Sequence, residues 1–387
     1  MLTLRMGVLR EGCGKKPPLP QHSKGLTLLS QAGGPNLTPF TRVSTLVRFD
    51  FMRALEQYIR NYEHGRWAKD SRAVLPFSWG LEHVGGRADE TDPRGFLEEW
   101  VARTVENSDE WYASPPALDY RLEGDQLTFT SLVQSPWREN NRVHARLFRA
   151  SQVGPAVLVM AQWNAKPTEH VAICQWLNTL GITALRLTLP YHDSRSASGH
   201  ERAYNLVGPN IGLTLQANRQ AVCDARQCLR WLEQQGYDRL GLLGTSIGSS
   251  IGFITMAHDP AVRAGTFLHV STYFGSVVST GLTTMHVWES LQSKVTREEI
   301  VRYWSPISPF PYVHHLKAST QKALMVSGKY DPTFWPEYSE ELRVALRRDR
   351  IEVESLNLPC GHYSLGIPPF SWIVGGRFAA FFMRALA

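Results

Sequence analysis

What most constrains this chain is a rhythm that begins near residue 156. Short apolar runs at Ala156–Ala161, Thr183–Leu189, Leu240–Gly244, Ala264–Val270, Ala323–Ser327 and Ile351–Leu358 alternate with longer helical patterns. The helical stretches are His170–Leu180 closed by Gly181, Leu213–Gln235 closed by Gly236, a run from Ser246, Pro336–Arg347 and Trp372–Leu386. A strand that is apolar along its whole length has no face for water. The alternation therefore predicts an α/β fold, a mostly parallel sheet covered by helices on both faces.

Upstream the pattern changes. Leu127–Val133 and Arg142–Arg149 alternate polar with apolar residues, which predicts an antiparallel pair at a sheet edge, with Ser135–Asn141 as the turn region. Helices are expected at about 45–64 and 93–106; in the second, Leu97, Trp100, Val101 and Val105 recur at helical spacing. Residues 1–44 are rich in Gly, Pro, Ser, Thr and Lys and lack periodicity, so they are expected to form a disordered basic tail. Residues 45–125 then make a helical N-terminal extension packing on the body, and 126–387 one large domain. One interval breaks the rhythm: about 272–316, between two predicted strands, holds Phe274, Trp288, Tyr303, Trp304, Phe310 and Tyr312. An insertion leaving the C-terminal end of a strand lies on the face where such sheets bind ligands, so it is read as a cap.

The net charge of +6 is misleading on its own. Residues 1–50 carry seven basic residues against Glu11 and Asp50, a balance of +5, which leaves +1 for the rest. A nucleic-acid surface needs its basic patch on the folded domain, so no nucleic-acid partner is expected. The five cysteines are odd in number and contain no CxxC pair, which argues against a disulfide framework and for a reducing, cytoplasmic setting. No run of about 18 apolar residues occurs, so no integral membrane contact is expected.

The chemistry gathers at strand ends. Gly244-Thr245-Ser246-Ile247-Gly248 follows an apolar strand and opens a helix. Such a turn strains the serine and exposes it above the sheet, and the small flanking residues let the helix pass close to the strand. An alcohol is a poor nucleophile at neutral pH, so Ser246 needs a base. In this arrangement the acid and the histidine follow the serine in that order. Asp331, in Gly328-Lys329-Tyr330-Asp331-Pro332, lies just past a late strand, and a helix-capping turn is its bland alternative. His362, in Leu358-Pro359-Cys360-Gly361-His362, is the only histidine after Asp331, and Gly361 is expected to let the backbone turn and present its ring. The strand at 264–270 offers no acid, and its His269 reads as a satisfied core histidine. His269, His286, His314 and His315 show no metal-ligand spacing, so no metal and no organic cofactor are expected.

These three motifs, in order and each after a strand, resemble the alpha/beta-hydrolase superfamily over residues 126–387. A fainter resemblance, to the subgroup of alpha/beta-hydrolase domain-containing protein 18, rests on Leu189-Pro190-Tyr191, Trp231-Leu232-Glu233 with Gly236-Tyr237, and the Ser271–Gly281 stretch. Relatives of that kind often carry a second glycine after the serine turn, where this chain has Ser249. The superfamily implies an oxyanion hole made by the N–H of Ile247 and a second donor after the strand Ala156–Ala161. Many members have His-Gly there; this chain has Gln162-Trp163-Asn164, which points to Gln162 or Trp163. Tyr191, His192 and Trp288 are expected at the substrate rim, with a hydrogen-bonded loop as the alternative for His192. The expectation is a serine hydrolase cleaving a small-molecule or lipid carboxylic ester. A peptidase or amidase of the same fold, or a silent hydrolase fold used for binding, are the alternatives.

Overall fold

The computed structural model describes residues 39–196 and 202–387, with side chains from Met52 onward. The chain divides after Asp50, and the sheet belongs to the unit from Phe51 to Ala387. The expected tail lies outside the described residues up to position 38. Residues 39–44, read from sequence as part of that tail, instead open the first helix.

Nine strands form one sheet: β1 Arg121–Glu123, β2 Gln126–Thr130, β3 Arg142–Phe148, β4 Ala156–Met160, β5 Thr183–Leu187, β6 Leu240–Thr245, β7 Val262–Leu268, β8 Lys322–Gly328 and β9 Glu352–Leu358. Their order is β1-β2-β3-β5-β4-β6-β7-β8-β9. The first three are antiparallel, with Leu127 opposite Ala145 and Phe129 opposite Val143. β3 joins β5 antiparallel, and every pair from β5 to β9 is parallel. The helices are α1 Pro39–Trp67, α2 Pro93–Glu106, α3 Ser108–Trp111, α4 Val171–Thr179, α5 Ile211–Gln234, α6 Ile247–His258, α7 Phe274–Thr280, α8 Met285–Leu291, α9 Arg297–Tyr303, α10 Pro336–Arg348 and α11 Phe370–Ala385.

β4 is buried at every residue, as its unbroken apolar run requires; β5 is buried throughout as well, although it carries Arg186, whose guanidinium donates to Glu169 O and Lys166 O at 2.8 and 2.9 Å. Successive side chains point to opposite faces of a strand. Leu158 and Met160 accordingly join the core shared with Val222 and Leu229 of α5 and Phe253 of α6, whereas Val157 and Val159 join the core of Leu177 from α4 and Phe378 and Phe382 from α11. Caps fix where helices begin: Asn210 Oδ1 accepts from Leu213 N at 2.9 Å ahead of α5, and Thr296 and Glu299 form a reciprocal capping box on α9. The cysteines at 174, 223, 228 and 360 are unpaired and buried.

The strand order decides where a ligand can sit. From β4 the chain steps to β5 on one side and then crosses to β6 on the other. A crevice opens at such a switch point, outside the carboxyl ends of the strands. Ser246 follows β6 and Gln162 follows β4, so both flank that crevice.

Candidate active site

Ser246 stands between β6 and α6 with φ 56° and ψ −121°, a strained conformation for a residue with a side chain. Its N–H donates to Leu268 O at 2.8 Å, which ties the turn to β7. A Cβ at Gly248 would meet Met160 O at 2.5 Å and Ala161 O at 2.6 Å, so only glycine lets α6 start against the end of β4. Ser249 is accommodated because its hydroxyl lies 2.7 Å from both Gly244 O and Leu268 O, either of which can accept its one proton. Thr245 Oγ1 lies 2.9 Å from His170 Nε2.

Ser246 and His362 line one cavity of about 1120 Å³. His362 Nδ1 lies 3.1 Å from Asp331 Oδ2. The other carboxylate oxygen, Oδ1, accepts from Thr333 N at 2.8 Å and Phe334 N at 2.9 Å. The Phe334 ring stacks on His362 with centroids 5.4 Å apart and planes 6° from parallel. Burial alone raises the Asp331 carboxyl, but the imidazoles of His362 and His269 outweigh it and hold the group well below the usual carboxylate range. For His362, burial lowers the imidazole, and Asp331 with help from Glu63 more than reverses this, so its pKa is raised.

Two participants escaped the sequence reading. His269, expected in the core, follows β7 with φ 60°, lines the cavity and places Nδ1 2.7 Å from Asp331 Oδ2. The contact is close but off the line of a hydrogen bond, and Nε2 has no partner among the described residues. Its position at a strand end beside the serine strand was the available signal. Glu63 of α1 is fully buried and accepts from Tyr363 N at 2.8 Å and Ser364 N at 2.9 Å, so it clamps the loop that carries His362. A Cβ on Gly361 would lie 2.5 Å from that carboxylate. Gly361 is thus needed for the close approach of Glu63 rather than for a left-handed turn. Nothing local in sequence links Glu63 to this loop. The ligand atoms of His269, Asp331 and His362 all lie within 4.8 Å of one another, a set that could also hold a cation.

The remaining expected site residues divide. Ile247 opens α6, whose first N–H groups have no intrahelical acceptor, and it lines the cavity with Gln162 and Trp163. The Trp163 indole N–H donates to Ala203 O at 3.0 Å, and the Gln162 amide donates to Glu169. Tyr191 and His192 also line the cavity. His192 is a loop clamp: Nδ1–H donates to Pro190 O at 2.9 Å, Nε2 accepts from Asn164 N at 2.8 Å, and burial lowers its pKa to about 4. Both ring nitrogens are committed to neighbouring backbone groups. Beneath this loop the buried Arg195 and Asp224 pair at 2.7 Å.

Trp288 corrects the expectation. It packs on the core with Arg297 over its ring at 5.8 Å and does not line the cavity. Tyr303 and Trp304 are buried likewise, and the Trp304 indole donates to Ile211 O at 3.3 Å. Broad aromatic faces were better used seating the insertion on α5 than facing a wet cavity. The insertion reaches the cavity through Phe274, Val277 and Val278 of α7.

No protein-family model matches the chain, and no curated protein does. Solved structures do. The acylaminoacyl peptidase of Pyrococcus horikoshii superposes with a TM-score of 0.53 at 12% identity, over 69% of this chain and 42% of the peptidase, so the chain spans less than half of that protein. An acylaminoacyl peptidase in complex with Z-Gly-Gly-Phe-chloromethyl ketone gives 0.52 at 13% identity, over 69% and 42%. A lipase in its open form gives 0.50 at 10% identity, over 67% of this chain and 98% of the lipase. None of these supports the finer resemblance to the subgroup of alpha/beta-hydrolase domain-containing protein 18. They establish the architecture: this chain has the alpha/beta-hydrolase fold.

Proposed function

We propose that the chain is a serine hydrolase that cleaves a carboxylic ester by acyl transfer to water. The observation that carries the reading is a strained serine at a helix N-terminus sharing one cavity with an imidazole whose far nitrogen rests on a buried, doubly held carboxylate. In this reading Ser246 Oγ attacks the carbonyl carbon while His362 Nε2 takes its proton. The developing imidazolium keeps Nδ1–H on Asp331, which fixes the tautomer. The oxyanion is met by the N–H of Ile247 and a second N–H from the Gln162–Trp163 segment, beside which α6 begins. His362 returns the proton to the departing alcohol. A water, deprotonated by the same nitrogen, then attacks the acyl carbonyl and releases the acid and Ser246. The apolar wall from Phe274, Val277 and Val278 suits an acyl chain. Among the described residues no helix is long and apolar enough to cross a membrane.

The test is a fluorophosphonate probe with a panel of matched esters and anilides. Wild type is expected to be labelled and to turn over esters, and Ser246→Ala to do neither. An unlabelled wild type would point to a silent fold used for binding. Faster anilide than ester cleavage would point to a peptidase, the activity that the Pyrococcus horikoshii protein is named for.

A further inference from the structure

At the far end of α6 three segments distant in sequence bring ligand atoms together. Asp109 belongs to α3, His258 ends α6, and His315 ends the short 3-10 helix Phe310–His315 that closes the insertion. One ligand atom from each lies within 4.8 Å of the other two. Asp109 Oδ1 and His315 Nδ1 are 3.4 Å apart. A tetrahedral zinc with the usual bonds to nitrogen and oxygen sets that edge at about 3.4 Å.

His258 is the second, independent observation. It is 6% exposed. Its Nδ1 lies 2.9 Å from Ile254 O and so carries the proton and donates. Nε2 is left with a bare lone pair, buried, and without a hydrogen-bond partner among the described residues. A metal-bound histidine shows this arrangement, one nitrogen donating to a backbone carbonyl and the other turned to the ion. Tyr112 and Tyr312 flank the ring at 4.8 and 4.7 Å, and both hydroxyls donate to Pro306 O at 2.8 Å, which keeps the ring in place. The basic side chains nearby are Arg226, Lys317 and His314. Arg226 is engaged by Tyr112 O and by Asp259 at 3.5 Å. Burial lowers the pKa of His258 to about 4 and, with His314 beside it, lowers that of His315.

We propose that Asp109, His258 and His315 form a zinc site, with His258 binding through Nε2, His315 through Nδ1, Asp109 through a carboxylate oxygen and water in the remaining position. None of the three lines the cavity that holds Ser246. The ion's work is therefore to pin α3, the serine-bearing helix and the end of the insertion to one another. The exposed face of Asp109 gives it a way in.

The experiment uses the full chain without an affinity tag, stripped by chelator, and zinc chloride alone. Calorimetric titration is expected to find one zinc per chain with a Kd of about 1 μM or below. Zinc at a hundredfold excess over Kd should raise the unfolding midpoint by about 3 °C. His315→Ala and Asp109→Asn, both at the partly exposed rim, should weaken binding at least tenfold and remove the shift, while His269→Ala should keep both. Absence of zinc binding by wild type would overturn the proposal. So would binding that survives His315→Ala and is lost in His269→Ala, because the ion would then sit beside the cavity.

Discussion

Two groups of one carboxylate and two imidazoles lie toward opposite ends of α6, and they differ in how the carboxylate is held. Asp331 is buried, with two backbone N–H donors on one oxygen and both histidines, His362 and His269, against the other. Asp109 is 82% exposed at its side chain, and its histidine neighbours leave one buried nitrogen with nothing to accept. A carboxylate fixed by donors in low dielectric keeps its charge and orients one proton on one ring. A carboxylate in water beside an orphan lone pair leaves a position for a cation. On the two proposals above, the same residue types would serve proton transfer in one place and ligation in the other, with solvation making the difference.

The comparison breaks most visibly at Asp331. Asp331→Asn is expected to lower kcat/KM on an ester by about 10⁴-fold, because the imidazole loses the partner that fixes its tautomer. The pH profile carries a sign. His362 must be neutral to accept a proton and its pKa is raised, so kcat/KM should fall about tenfold per unit below a midpoint that lies above the ordinary histidine value of about 6.5. In Asp331→Asn that limb should move to lower pH. An unchanged limb would remove His362 from the role of base. Because the Asp331 carboxyl is depressed, it also contributes stability above the usual carboxylate range that is lost as pH falls toward its folded value.

Glu63→Gln should cost about 2 kcal/mol of stability, since a charged acceptor for two buried N–H groups is replaced by a neutral amide. It should also draw the acid limb downward, because Glu63 helps to raise His362. Chemical denaturation and the pH profile check the two effects separately. A variant of wild-type stability would deny the clamp.

His269→Asn is expected to lower kcat about 3- to 10-fold with KM nearly unchanged, the worth of a close contact with a charged carboxylate that is off the line of a hydrogen bond. Full activity would leave His269 as packing. The smallest effect separates wall from foundation in the insertion. Phe274→Ala should change the ranking of short against long acyl esters by several-fold, roughly a methylene or two of discrimination. Trp288→Ala should leave that ranking alone and lower only the melting temperature. The reverse outcome would move the acyl pocket to α8.

Legibility followed distance along the chain. Each parallel strand was readable as a short apolar or alternating run, and α4, α5, α6, α10 and α11 as helical periods, whereas α7, α8 and α9 of the insertion were not. The positions of Ser246, Asp331 and His362 just past strand ends were readable, because each lies in a short turn after an apolar run and the sheet carries those turns to a common edge. The Glu63 clamp was not. It joins positions 300 residues apart through backbone N–H groups that have no sequence identity. His269 looked like core for a related reason: a lone polar residue at the end of an apolar strand declares neither its φ nor its neighbour.

By itself, then, the sequence determined most of the segments that become strands and helices and which strand ends carry a serine, an aspartate and a histidine, since propensity, periodicity and turn chemistry act over a few residues. Tertiary structure alone decided that Trp288, Tyr303 and Trp304 of the insertion are foundation while α7, Phe274 included, walls the cavity. It alone set a second imidazole on Asp331, and it brought Asp109, His258 and His315 within reach of one ion. Those outcomes depend on which surfaces the packed core leaves uncovered, a property of the whole fold that no window of the chain contains.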